Sequence, residues 1–92
     1  MSDLVTPETV TINSNHAQIE RLSGWSFRAA ENGTAINLRI GAVDGPLIAC
    51  VGMKFAEDSE TQNFGKTDIV TVGGVYVQIV SGSISAGTLF SG

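Results

Sequence analysis

A chain of 92 residues fits a single domain, and an apolar content of 42% excludes a disordered polymer. The formal net charge is −4, and the five basic residues, Arg21, Arg28, Arg39, Lys54 and Lys66, do not cluster, which excludes a phosphate-neutralising nucleic-acid surface. Apolar runs stay well short of the roughly 18 residues a helical membrane span needs, so no membrane role is expected.

Charged residues make up only 15% of the chain, against about 25% in an average protein. Ser, Thr, Asn, Gln and Gly must therefore form much of the polar surface. A surface poor in Lys and Glu suits a protein partly covered by other subunits, and Ser and Thr also suit the wet faces of β-sheets. Cys50 is the single cysteine, so no intrachain disulfide can form. The opening MSDLVTPETV has neither a basic region nor an apolar stretch. No signal peptide is expected, and folding in a cytoplasm is.

In chain order, residues 1–8 read as an N-terminal arm and residues 9–92 as one domain. Thr9–Asn13 alternates as a short edge strand, and Ser14-Asn15-His16 reads as a turn. From Gly24 the alternation of Trp25 and Phe27 predicts a strand. Asn32-Gly33 predicts a type I′ hairpin turn, which would set Phe27 against Leu38, Trp25 against Ile40 and Ala29 against Ile36. A second hairpin over Val43-Asp44-Gly45-Pro46 would pair Ala42 with Leu47, Ile40 with Ala49, Leu38 with Val51 and Ile36 with Met53. These three strands then share one apolar face.

Ala56–Gln62 reads as an exposed acidic loop. Gln62–Gly65 and Asp68–Val72 read as short extended pieces. Gly73–Phe90 predicts a terminal hairpin turning at Ser81-Gly82, with Ile79 opposite Ile84, Val77 opposite Ala86, and Tyr76 covering Gly87. Seven or eight short strands with a turn signal every 8–12 residues predict an all-β fold: a compact antiparallel β-sandwich, jelly-roll-like in type. A sustained helical period is absent.

The residues that could carry chemistry have plainer explanations. His16 has no nucleophile or orienting acid in a recognisable pattern beside it, and reads as part of a turn. Cys50, placed beside Arg39 in the expected register, could be an activated thiol, but an inert one is the simpler reading. Glu57, Asp58 and Glu60 lack the alternating ligand pattern of a calcium loop and read as a solvated cluster. Asn32-Gly33-Thr34 matches a glycosylation sequon but reads as the hairpin turn. Gly73-Gly74 and Gly82 have no following helix to bind phosphate. No catalytic residue, metal ligand or cofactor is predicted, and the chain is not expected to be an enzyme. Ile48, Cys50, Tyr76 and Val80 point away from the expected core face. If they come together, they mark a protein interface.

The succession G-W-S-F-R, T-A-I-N-L-R-I-G, D-G-P-L-I-A-C-V, an acidic loop, and G-V-Y-V-Q-I-V-S-G-S-I-S resembles small all-β virion proteins of tailed bacteriophages. These decorate or cement capsids, or sit at head and tail joints. The resemblance spans roughly Gly24–Phe90 and rests on hairpin-forming motifs. It implies a virion structural protein, such as a capsid decoration protein bound to the major capsid protein lattice or another virion protein. It also implies a homo-oligomer, for which a trimer would suit a lattice three-fold. The competing expectation is a carbohydrate-binding or host-attachment module of a phage tail or head fibre. Such modules use aromatic platforms, and Trp25 is already assigned to the core.

Overall fold

The computed structural model describes residues 6–63 and 69–91. They form nine strands and no helix: β1 Thr6–Thr9, β2 Ser14–His16, β3 Arg21–Ala29, β4 Thr34–Ile40, β5 Leu47–Met53, β6 Ser59–Asn63, β7 Ile69–Val70, β8 Val75–Ser81 and β9 Ile84–Ser91. Sheet A has the order β1-β9-β3-β6, with β7 paired to β3, and sheet B has the order β2-β8-β4-β5. All the pairings are antiparallel. The two sheets are therefore an all-β sandwich. With β7 set aside, the first strand lies beside the last in one sheet and the second beside the penultimate in the other, which is the winding of a jelly roll.

Alternation decides which side chains enter the core. Sheet A contributes Trp25, Phe27, Ala29 and Leu89, and sheet B contributes Ile36, Leu38, Val51, Met53, Val75 and Val77, all buried in one cluster. Ala49, Ile79 and Ile84 pack against it while partly buried. A fully buried side chain of this size stabilises the fold by about 1.5–3 kcal/mol.

Strand pairing departs from the sequence expectation at two turns. The hairpins expected at Asn32-Gly33 and Ser81-Gly82 are not formed. β3 and β9 belong to sheet A, β4 and β8 to sheet B, and each turn is an arch carrying the chain from one sheet to the other. A hairpin and an arch bury the same alternate residues, so the apolar pattern fits both. A type I′ turn needs positive φ at both central residues. Gly33 (φ 70°) and Gly82 (φ 71°) supply it, but Asn32 and Ser81 do not. Tyr76 accordingly lies opposite Asn15 and Arg39 rather than Gly87. Gly87 is the register partner of Phe27, whose ring sits 3.0 Å from where a Cβ on Gly87 would be.

The β4–β5 hairpin does form, shifted by two residues. Thr34 pairs with Met53, Ile36 with Val51, Leu38 with Ala49 and Asn37 with Cys50. An even shift keeps every core residue on its face. The cause lies at the turn. A bulge between Leu38 and Arg39 lets Leu47 pair with Arg39, and the Ile40 N–H donates to the Pro46 carbonyl at 2.9 Å. Gly45 is required here, because a Cβ would overlap the Ile40 carbonyl oxygen.

Two further segments differ. The strand expected at Thr9–Asn13 is displaced in both directions: Thr6–Thr9 pairs with β9 inside the expected arm, and Ser14–His16, expected as a turn, is a strand on β8. Between them the chain changes sheets. Asn13 takes φ 56°, donates its N–H to the Val77 carbonyl and accepts from the Ile79 N–H through Oδ1. Ser59–Gln62 of the expected acidic loop, together with Asn63, is the edge strand β6, paired with Gly24–Arg28. It escapes notice because SETQN carries no apolar side chain. The piece expected from Gln62 to Gly65, and the start of the one at Asp68, run into residues 64–68, outside the described residues.

Candidate functional site: the outer face of sheet B

The strands of sheet B read SNH, VYVQIVS, TAINLRI and LIACVGM, with Arg39 as the sole Asp, Glu, Lys or Arg among them. Register places the outward side chains in rows. One row runs Asn15, Tyr76, Arg39, Leu47, and the next runs Gln78, Asn37, Cys50. Arg39 is half-buried and held in place. Its Nε donates to Gln78 Oε1 at 3.1 Å, and its Nη1 donates to the Gly45 carbonyl at 3.1 Å. The guanidinium thus lies in the same row as the Tyr76 ring and the Leu47 side chain, with no ion pair to an acid among the described residues.

Of the residues assigned to an interface from sequence, Cys50 is exposed and Tyr76 half-exposed on this face. Val80 is 56% exposed and sits at a register irregularity where β8 passes Ala35. Ile48 is half-buried and packs against the core cluster. Leu47, 49% exposed, joins the face instead. The bulge at Leu38/Arg39 exchanges their roles, and no alternation pattern reveals a bulge.

The other candidates are absorbed by the fold. His16 is buried. Its Nε2 accepts from the Thr11 N–H at 3.0 Å, so Nδ1 carries the proton and donates to the Val75 carbonyl at 3.1 Å. Cys50 faces Asn37 and not Arg39, a correction that follows from the two-residue shift. Glu57 pairs with Arg28 at 2.8 Å, and Asp58 accepts from the Phe55 N–H. Among the described residues no three His, Cys, Asp or Glu side chains gather as a metal site. Within the sequon, Asn32 Oδ1 accepts from the Ala56 N–H at 2.7 Å, and Thr34 is buried in the arch. Gly74 is pressed against the His16 carbonyl, and β8 follows it.

Sheet A presents a different outer face. Thr9, Thr88, Ser26 and Thr61 form one hydroxyl row across four strands, with Ser26 and Thr61 hydrogen-bonded at 3.0 Å. A shallow groove of about 290 Å³ beside it is lined by Ser26, Arg28, Glu57, Ser59 and Thr88, among others.

Comparison with family models, curated proteins and solved structures finds no significant match.

Proposed function

We propose that this chain is a structural protein of a tailed-phage virion, acting as a capsid decoration or cement subunit that binds the major capsid protein lattice by surface complementarity. The observation that carries the reading is the composition of the sheet B face. Leu47, Cys50, Tyr76 and Val80 lie among neutral Asn and Gln side chains, with Arg39 the one charge. Protein interfaces are depleted in Lys, Glu and Asp and enriched in aromatic residues and Arg. The jelly roll occurs in capsid proteins, and also in lectins and cupins, so the fold adds only analogy. The sequence resemblance supplies the virion context.

Mass spectrometry and cryo-electron microscopy of virions assembled in the organism encoding the chain test this. The expected result is many ordered copies on the particle surface, with sheet B against the lattice. Particles lacking the chain overturn the proposal. The paired change Leu47→Ala/Tyr76→Ala is expected to weaken particle binding while leaving the circular dichroism spectrum unchanged.

The groove on sheet A favours a second reading. Its hydroxyls and the Arg28–Glu57 pair suit a hydroxyl-rich ligand such as a glycan. A glycan array showing saturable binding that Arg28→Ala abolishes would rank host attachment first.

A further inference from the structure

Each sandwich sheet ends in strands whose outer N–H and C=O groups have no neighbour, and proteins blunt such edges with short strands, proline or inward-pointing charge. Three edges here are blunted in those ways. β1 has four residues and contains Pro7 and Glu8, and β2 has three residues. β6 places Glu60 opposite the core residue Phe27, so a carboxylate occupies the inward side of that edge. β5 is different: it ends sheet B, runs for seven residues as LIACVGM, and contains neither charge nor proline, and its one irregularity, the bulge at Ile48, lies near its start and leaves Ala49–Met53 in regular register.

The hydrogen-bond phase of β5 can be read from its end. The Gly33 N–H donates to the Lys54 carbonyl at 3.0 Å. In the same antiparallel register, the hydrogen-bonded pairs are then Ala35–Gly52 and Asn37–Cys50. The backbone groups of Ala49, Val51 and Met53 therefore project from the edge, where no described strand pairs with them. Gly52 offers a place to test this edge. Its φ is not in the left-handed region, and a Cβ there would meet nothing within 4 Å. A side chain at this position stands on the exposed outer face of sheet B, so a charge can be introduced beside the edge without disturbing the single chain.

We propose that two copies of this chain pair antiparallel through β5 about a two-fold axis at Cys50, joining their B sheets into one. Cys50 is the middle residue of Leu47–Met53. A dyad there sets Ala49 against Val51 of the other copy, both with outward backbone groups, and leaves the bulged Ile48 outside these central pairs. An antiparallel strand is complementary to itself, as a two-fold interface requires. Charge favours the same surface. The chain carries nine acidic residues and a net charge of −4, yet no acid lies in any strand of sheet B, so like charges are not opposed there. The inference concerns the edge of sheet B and not its outer face, and it holds whatever larger assembly the chain joins.

At this dyad Cys50 meets its own copy as a non-hydrogen-bonded pair, with Cα atoms about 4.5 Å apart. That lies within the roughly 4.4–6.8 Å range of disulfides. The test is sedimentation of the reduced full chain at micromolar concentrations, then brief treatment with diamide, which is reduced as it takes up the two thiol hydrogens. The expected species has about twice the 9.6 kDa chain mass and cross-links at Cys50. Cys50→Ser remains a dimer but does not cross-link. Gly52→Lys, which has room in the single chain, keeps its circular dichroism spectrum and dissociates at least about tenfold more readily. A reduced chain that stays monomeric overturns the proposal. So does a dimer that Gly52→Lys leaves intact, or one that gives no Cys50 disulfide.

Discussion

Thr34 and Ser83 stitch the two arches of the sandwich together. Thr34 Oγ1 lies 2.8 Å from the Glu31 carbonyl oxygen and 3.0 Å from that of Ser83, sharing its proton between them, and accepts from the Ser83 N–H at 3.3 Å. The Ala30 N–H also donates to the Ser83 carbonyl, at 2.9 Å. One buried hydroxyl thus serves both crossings between the sheets, β3 to β4 and β8 to β9. Replacing it with a methyl group in Thr34→Val keeps the volume and removes its bonds to the Glu31 carbonyl and the Ser83 N–H, while the Ser83 carbonyl keeps the Ala30 N–H. The expected loss is about 1–3 kcal/mol in urea unfolding followed by circular dichroism. A change within error would show that the arches hold without it.

Gly82 and Gly33 separate backbone conformation from space. Both have positive φ, so alanine is strained at either. Around Gly33 nothing lies within 4 Å of an added Cβ, whereas at Gly82 it would overlap Thr34 Oγ1 and come within 2.7 Å of the Thr34 Cα. Gly33→Ala is expected to cost about 1 kcal/mol. Gly82→Ala should cost clearly more, because backbone must also move. Equal melting temperatures for the two variants would contradict the arch geometry.

Trp25 is 7% exposed and lies in the core beside Leu89, its register partner on β9. Trp25→Ala is expected to lose about 3–5 kcal/mol in the same unfolding measurement. If the variant kept its stability and lost binding instead, Trp25 would be a recognition residue.

His16 does structural work that its position in a sequence of turn-forming residues conceals. Its two ring nitrogens satisfy the Thr11 N–H and the Val75 carbonyl, holding the crossing from β1 to the short edge strand β2. His16→Ala leaves the buried Val75 carbonyl without this partner and opens the exposed Thr11 N–H to solvent, at an expected cost of about 1–3 kcal/mol. Hydrogen exchange should show the loss as faster exchange at Thr11, in the crossing, with the central strands of sheet B unchanged.

The alternation of Trp25, Phe27 and Ala29, of Ile36 and Leu38, and of Val75 and Val77 determined by itself that the chain is all-β and which of these residues face the core; Ile19 and Leu22, equally buried, lie where no alternation shows. Side-chain parity is a local property, and each strand expresses it without reference to its neighbours. What pairs with what is not local. Asn32-Gly33 and Ser81-Gly82 fit a hairpin or an arch equally, since both deliver the same side chains to the core. Only the closing of two sheets over that core chose the arch. Edge strands such as Ser59–Asn63 bury too little to leave an apolar trace, and Thr6–Thr9 pairs through its backbone, so both were invisible until the fold supplied their partners. The candidate face was half legible: Cys50, Tyr76 and Val80 follow from parity. Leu47 replaces Ile48 because one bulged residue reverses the parity of everything beyond it, and a bulge is set by how a turn closes in three dimensions.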